Sequence, residues 1–187
     1  NVRSYTALVG VWGVAAGTGL GGDAIGLALA ELNKMKAAGV KPDVVVYNRI
    51  LDACARAAWA ESGGGVEQAL SVLEMMREDD VNPNTISYTT LINAARHQGT
   101  DSSVTLALAV FRRMPQAARN HQTYTVMMQG LIRVGRREEA LSMLNEAAAQ
   151  GLKPNDHMFR AAMKAAGKDR EGRLAIEAMM KMEMAVD

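Results

Sequence analysis

The stretch HQTYTVMMQGLIRVGRREEALSMLNEAAAQGLKPN, residues 121–155, decides the fold class of this chain. On both sides of the short segment GRR, apolar residues recur at i, i+3, i+4 and i+7, which is typical of amphipathic helices. The stretch ends on Lys-Pro-Asn, and both proline and asparagine favour turns and helix starts. It therefore predicts a helix–turn–helix unit of 35 residues.

This helix pair recurs along the chain. An aromatic residue lies near the start of each copy, and successive aromatics are 42, 41, 36 and 35 residues apart. The copies begin with VRSYTALVG (2–10), VVVYNRILD (44–52), TISYTTLIN (85–93), HQTYTVMMQ (121–129) and, more weakly, DHMFRAAMK (156–164). We predict repeats over 2–43, 44–84, 85–120 and 121–155, with a partial fifth over 156–187.

The repeats determine the expected architecture. One helix pair cannot bury both of its apolar faces, whereas copies in tandem bury them against each other. The sequence therefore predicts a single all-α array over residues 1–187, an α-solenoid of antiparallel helix-turn-helix repeats.

Two glycine-rich segments interrupt this pattern. GTGLGG (17–22) and SGGG (62–65) fall between the paired helices of the first two repeats, which exceed 35 residues by seven and six. A dinucleotide or P-loop glycine turn follows a strand, but here an amphipathic helix precedes. We interpret both segments as expansions of the loop between two helices.

Composition and motifs argue against several classes of function. The formal net charge of +1 argues neither for nor against nucleic acid, and no apolar run is long enough to span a membrane. His97, His121 and His157 lie in different repeats with no Cys or carboxylate at ligand spacing. No metalloprotease or Walker sequence is present. We expect no catalysis, metal site, cofactor, membrane partner or small-molecule substrate.

The single cysteine, Cys54, excludes an internal disulfide and favours a reducing compartment. It lies in the first helix of its repeat with no local His partner. We therefore expect a buried, unreactive thiol.

The repeats 44–84 and 121–155 resemble pentatricopeptide repeats, and the resemblance extends with less similarity over the rest of the chain. It implies a right-handed superhelix that binds single-stranded RNA at about one base per repeat. It also implies a role in chloroplasts or mitochondria, in RNA stability, processing or translation. The tryptophan pattern of tetratricopeptide repeats is not met.

The resemblance further implies that the residue after the aromatic and the last residue of the repeat together face one base. These base-reading pairs are Thr6 with Asp43, Asn48 with Asn84, Thr89 with Asn120, and Thr125 with Asn155. By the family's pairing tendencies, they read 5′-G-C/U-A-A-3′ from the N- to the C-terminal repeat. The fifth repeat has Arg160 in place of a small polar residue, and we assign it no base.

Two further sets of residues follow from the resemblance. Apolar residues two places before the aromatic, at Val45 and Ile86, are expected to wedge between bases, whereas Arg3 and Gln122 depart from this preference. Basic residues nine places after the aromatic are expected to contact phosphate. They are Arg56, Arg133 and Lys168, with His97 at this place in the third repeat.

Two alternatives remain open at this stage. Asp43 and the three asparagines that end the repeats each precede a helix, where they could serve only as N-caps. In addition, the near-neutral charge and the polar residues at two wedge positions suit a protein–protein interaction scaffold within an organellar ribosome or transcription complex.

Overall fold

The computed structural model of the chain describes residues 2–16, 24–59, 65–170, 173–174 and 176–177. These residues form α-helices and one 3₁₀ turn, and they include no strand. The helices are α1 Val2–Ala16, α2 Ala24–Ala37, α3 Val44–Trp59, α4 Gly65–Glu78, α5 Thr85–Gln98, α6 Asp101–Arg113, α7 His121–Arg133, α8 Arg137–Ala149 and α9 Asp156–Ala166. The proposed expansions lie outside the described residues, except that Gly65 begins α4.

The helices form two layers. The odd-numbered helices α1, α3, α5, α7 and α9 each pack side by side on the next. Each even-numbered helix packs against the odd helix before it and the odd helix after it, and the even helices contact each other little. The odd layer therefore forms the shorter, inner side of the stack. The predicted all-α solenoid of antiparallel helix pairs is confirmed.

The apolar core runs continuously between the two layers. The repeat aromatics Tyr47, Tyr88, Tyr124 and Phe159 are all buried in it. Phe111 of α6 meets Tyr124 of α7 edge to face, with ring centroids 4.9 Å apart. Flexible Met side chains at 76, 127 and 128 fill the irregular space between repeats.

One glycine is required where α3 and α4 approach most closely. A Cβ on Gly65 would lie 2.5 Å from the carbonyl oxygen of Cys54 and 2.7 Å from the Cβ of Ala58. The first atom belongs to the backbone of α3 and the second to a short side chain on it, so neither can move away without moving the helix. At Gly10, inside α1, no described atom beyond its chain neighbours and its own helix backbone lies within 4 Å of the same position.

These two glycines give a matched test of the helix contact. Gly65→Ala will lower the free energy of unfolding by about 1–3 kcal/mol, because it overpacks the α3–α4 contact. Gly10→Ala will raise it by about 0.5–1 kcal/mol, because alanine favours an open helical site. Urea unfolding followed by circular dichroism measures both changes. Equal effects of the two substitutions would contradict the close approach.

A hydrogen-bonded joint links the first two repeats. The Tyr47 hydroxyl on α3 donates to the carboxylate of Asp79, which follows α4. Lys36 of α2 forms an ion pair with the same carboxylate. In the fourth repeat, the Tyr124 hydroxyl similarly donates to Gln150 Oε1 after α8, at 2.9 Å. A buried tyrosine thus keeps a partner for its polar end.

The joint shifts the titration of its members. Burial, and then the hydrogen bond to Asp79, raise the pKa of Tyr47 above its ordinary range. Partial burial alone would raise the pKa of Asp79, but the hydrogen bonds from Lys36 and Tyr47 bring it below its ordinary value. Asp79 therefore stabilises the fold above the unfolded Asp pKa of about 3.9, and this contribution is lost as the pH falls through the lower folded pKa.

Asp79→Asn is therefore expected to lower the free energy of unfolding by about 1 kcal/mol at pH 7. The difference in the free energy of unfolding between this variant and the parent protein should shrink as the pH falls below about 3.9. Asp80→Asn is the control, because Asp80 is exposed and its left-handed backbone, with φ of 56°, suits asparagine. Urea unfolding between pH 7 and the acidic range tests whether the ionisation of Asp79 stabilises the fold. A difference between variant and parent that does not change with pH would contradict this role.

Candidate nucleic-acid interface

The predicted base-reading residues occupy equivalent positions in the odd layer. Thr6, Asn48, Thr89 and Thr125 are each the fifth residue of an odd-numbered helix. Their partners Asp43, Asn84, Asn120 and Asn155 each come directly before the next odd-numbered helix. The two members of a pair are therefore carried by neighbouring helices of the inner layer.

Clefts between neighbouring odd helices bring several of these residues together. The α1–α3 cleft is lined by Thr6, Asp43, Arg3 and Val45. The α3–α5 cleft is lined by Asn48, Asn84, Val45 and Ile86. The α5–α7 cleft is lined by Thr89, Ile86 and Gln122 but not by Asn120. In this series, residues at the wedge position separate one cleft from the next.

The wedge position carries exposed apolar side chains where the sequence provides them. Val45 is 49% and Ile86 61% exposed, although both are large aliphatic residues. Each is the second residue of its helix, and Arg3 and Gln122 occupy the same place in α1 and α7. Exposed apolar side chains beside polar clefts provide surfaces on which a flat, apolar ring can stack.

All four residues that end the repeats are N-caps. Asp43 Oδ1 accepts hydrogen bonds from the amides of Val45 and Val46, at 3.0 and 2.9 Å. The side-chain oxygens of the asparagines accept from the third amide of their helices. These bonds are Asn84 to Ser87 at 3.1 Å, Asn120 to Thr123 at 3.0 Å and Asn155 to Met158 at 3.1 Å.

Capping uses only part of each side chain. Because an amide nitrogen cannot accept from a backbone N–H, the cap fixes which atom of each asparagine faces the helix. The amide NH₂ of Asn120 and Asn155 is left to donate elsewhere, whereas Asp43 keeps a carboxylate oxygen that only accepts. Capping and ligand contact are therefore compatible roles for these residues.

The threonines also use one half of their hydrogen-bonding capacity within the helix. The hydroxyls of Thr6, Thr89 and Thr125 donate to the carbonyl four residues earlier, at 2.9, 2.6 and 2.7 Å. With the hydrogen engaged, each hydroxyl oxygen can act towards a ligand only as an acceptor.

The second repeat differs because its two polar side chains contact each other. Asn48 Nδ2 donates to Asn84 Oδ1 at 3.3 Å, and Asn48 Oδ1 accepts from the Ser87 hydroxyl at 2.6 Å. Both side-chain oxygens are thus engaged, and the remaining N–H groups of the two amides are donors.

The third repeat is short and lacks a proline before its last residue, yet Asn120 still caps α7. A 3₁₀ turn over Gln116–Ala118 connects α6 to this cap. The Thr85 hydroxyl at the start of α5 donates to the carbonyl of Ala118 at 3.1 Å, which holds the turn against the odd layer. The different loop therefore preserves the register of the next helix.

The predicted phosphate-contacting residues differ in their surroundings. Arg56 forms an ion pair with Asp52 on α3, with Nε and Oδ2 3.0 Å apart. Arg133 is exposed and lies over Gly99, where a Cβ would come within 2.4 Å of its Nε. Lys168 is exposed and follows α9. Burial, and then the charges of Arg96 and Arg133, lower the pKa of His97, so this position is neutral at pH 7.

The predicted residue Arg133 belongs to a larger group of cations, which we call the basic cleft and whose other members sequence reasoning missed. It lies between α7 and α9, and its polar lining consists of Arg96, Gln129, Arg133, His157, Arg160 and Lys164. The α9 members are spaced i, i+3 and i+7 and therefore share one helix face. That spacing is visible in the sequence, but the contribution of Arg96 from α5 is not.

Outside the basic cleft, the titratable residues that the structure describes form no comparable cluster. Cys54 is fully buried, as expected, and burial raises the pKa of its thiol to about 12. Within the described ranges, no three His, Cys, Asp or Glu side chains come together as a possible metal site. None of the described helices combines the length and apolar character needed to cross a membrane.

Comparison with known proteins identifies the repeat type. A family model described as a pentatricopeptide repeat domain matches residues 31–98 and 71–117, and a PPR repeat model matches residues 122–152. A chloroplastic pentatricopeptide repeat-containing protein of Arabidopsis thaliana is 33% identical over 121 residues, 63% of this chain and 14% of that protein. The chain thus spans a small part of this relative.

Solved structures share the fold. The pentatricopeptide repeat protein PPR10 from maize superposes with a TM-score of 0.74 at 20% identity, over 100% of this chain and 25% of that one. PPR10 in complex with an 18-nt psaJ RNA element gives a TM-score of 0.66 at 23% identity, over 97% of this chain and 28% of that one.

The capping role can be tested separately from any ligand. Asn120→Ala will lower the free energy of unfolding by about 1 kcal/mol, because the first turn of α7 loses its side-chain acceptor. Asn120→Asp will keep the stability within about 0.5 kcal/mol of the parent, since aspartate caps equally well. Urea unfolding at neutral pH measures both values, and an alanine variant as stable as the parent would refute the cap.

Proposed function

This chain belongs to the pentatricopeptide repeat family, and we propose that it binds single-stranded RNA in the clefts between its odd-numbered helices. The observation that carries this proposal is the recurrence of one polar pair per repeat at the same helix positions. The first two pairs each line one cleft, and the exposed side chains of Val45 and Ile86 lie between the first three clefts. The RNA complex of PPR10, which has the same fold, supports this choice of ligand.

The hydrogen-bonding groups left over by the helix caps support a particular base for each repeat. In the first repeat, Thr6 and Asp43 both present acceptors, which complement the N1–H and N2–H₂ donors of guanine. In the third repeat, Thr89 presents an acceptor and Asn120 a donor, which complement N6–H₂ and N1 of adenine. Thr125 and Asn155 repeat this combination in the fourth repeat.

The second repeat favours a pyrimidine. Its two asparagines have their side-chain oxygens engaged and retain N–H donors, which complement a carbonyl group such as O2 of cytosine or uracil. The proposed core is therefore 5′-G-C/U-A-A-3′, with the strand running 5′ to 3′ from α1 to α9. Val45 and Ile86 stack against the bases beside them.

The biological role follows from the family. We propose that the chain acts in a chloroplast or mitochondrion, where it contributes to RNA stability, processing or translation and does not itself catalyse a reaction. The chloroplastic relative supports such a location. This chain matches only a small part of that relative, so the proposal concerns these repeats alone.

A role as a protein interaction scaffold has less support. Such a scaffold favours a large exposed apolar patch on the outer layer. Among the described residues of the even-numbered helices, Leu27 is the only large apolar side chain that is exposed. The exposed aliphatic residues Val45 and Ile86 instead line the inner clefts.

Single substitutions that preserve a cap test the base assignment. Asn120→Asp should change the preferred third base from adenine to guanine, because it gives the third repeat the acceptors of the first. The expected change in the GCGA-to-GCAA affinity ratio is at least about fivefold, since a well-placed pair discriminates by about 1–3 kcal/mol. Asp43→Asn should make the reciprocal change, from GCAA towards ACAA.

Fluorescence anisotropy with labelled RNAs at fixed salt measures these ratios, with scrambled RNA and the matching DNA as controls. The unfolding experiments on Asn120→Asp establish that the variant is folded. Equal binding of all RNAs by the parent, or unchanged ratios in both variants, would refute base reading by these pairs.

A further inference from the structure

The basic cleft gathers cations from three helices. Arg96 comes from α5, Arg133 from α7, and Arg160 and Lys164 from α9. Among the residues that the structure describes, no carboxylate lines this cleft, and its remaining walls include the apolar side chains of Ile132 and Ala161. One cation of the cleft, Arg160, also forms an ion pair with Asp156 at 3.6 Å, and both side chains are largely exposed.

The cations of α5 and α7 are held close to each other. Arg96 donates through Nε and Nη2 to Asn93 Oδ1 at 3.0 and 2.8 Å, which fixes its side chain on α5. Burial, and then the charge of Arg133, lower the pKa of Arg96. Like charges held in proximity repel, and an anion bound between them relieves that repulsion.

The other clefts of the inner layer have no such excess of positive charge. Asp52, the ion-pair partner of Arg56, lines both the α3–α5 and the α5–α7 cleft, and in the α3–α5 cleft it accompanies Arg49. The α1–α3 cleft contains Arg3 and Arg49 but also Asp43. Of these four clefts, the α7–α9 cleft is thus the one whose described lining contains cationic side chains and no carboxylate.

The position of the basic cleft along the array indicates what it contacts. Arg160 is the fifth residue of α9, the place that a polar base-reading residue occupies in the other odd helices. A guanidinium at this place has only donors and fits a phosphate in a two-pronged geometry. With the proposed strand direction, the phosphate that reaches α9 is the one on the 3′ side of the fourth base.

We propose that the basic cleft binds the phosphate on the 3′ side of the fourth base, through Arg133, Arg160 and Lys164 with Arg96 behind them. This assignment rests on the proposed function for the strand and its direction. It makes the C-terminal repeats the electrostatic anchor of the complex, whereas the earlier repeats contribute base selection.

Three short RNAs test the assignment. GCAA with a 3′-hydroxyl lacks the phosphate, GCAA with a 3′-phosphate supplies it, and GCAAU supplies it as a diester. The second and third RNAs should bind about tenfold more tightly than the first at low salt, since a charge-assisted contact is worth about that factor. A 5′-phosphate on GCAA should give no such gain.

Matched variants identify the residues. Arg160→Gln/Lys164→Gln should abolish the gain from the 3′-phosphate. Arg77→Gln/Arg113→Gln removes the same charge from exposed positions on α4 and α6 and should retain the gain. Circular dichroism and urea unfolding establish that both double variants are folded. Millimolar inorganic phosphate should reduce the affinity gain that the 3′-phosphate gives in the parent, because it can occupy the same site without a base.

The outcomes separate this inference from the proposed function. If scrambled RNAs bind as tightly as GCAA but a 3′-phosphate still raises the affinity tenfold, base reading by the polar pairs is refuted and phosphate binding in the basic cleft is supported. If GCAA is selected but the 3′-phosphate adds nothing, or the α9 double variant keeps the gain, the basic cleft assignment is overturned. Displacement of RNA by hexaglutamate as effective as by tripolyphosphate would also overturn it, in favour of an acidic protein ligand.

Discussion

The structure depends on the direct packing of odd-numbered helices against one another. Each repeat contributes one helix to this layer, and the aromatic residues of the second to fifth repeats are buried between the layer and the even-numbered helices. Because a single helix pair leaves an apolar face uncovered, the stack is stable only as a continuous array. The same packing lines up the second and fifth residues of successive odd helices, so a local sequence pattern becomes a row of clefts.

The helix caps connect this architecture to recognition. An N-cap oxygen lies at the start of α3, α5, α7 and α9. At α3 and α5 the capping residue also lines the cleft formed with the preceding odd helix. Asp43 and Asn120 satisfy the same structural need, yet they leave opposite groups available, an acceptor in one case and donors in the other. Aspartate and asparagine therefore cap a helix equally well but offer a ligand different hydrogen-bonding groups, so exchanging them changes recognition without a cost in stability.

Charge is distributed less evenly than the repeats are. Although the net charge is only +1, the cations are not spread evenly: Arg56 in the second repeat is paired with Asp52, whereas four Arg and Lys side chains lie together between α7 and α9. Salt-dependent attraction to a polyanion is strongest where cations lack neighbouring carboxylates. In the proposed complex, base selection and electrostatic anchoring therefore belong to different parts of the array.

The sequence alone determined the helix pairs, their register and the positions of the polar pairs. These features follow from local periodicity and from proline and asparagine at the ends of repeats, and the Asp52–Arg56 pair is likewise visible as i, i+4 spacing. Only the tertiary structure decided which atoms remain available, because Asn48 meets Asn84 at the far end of its own repeat and Ser87 in the next repeat. It also brought Arg96, Arg133 and Arg160 into one cleft. Residues this far apart in the chain are joined by helix packing, a geometry that local spacing does not specify.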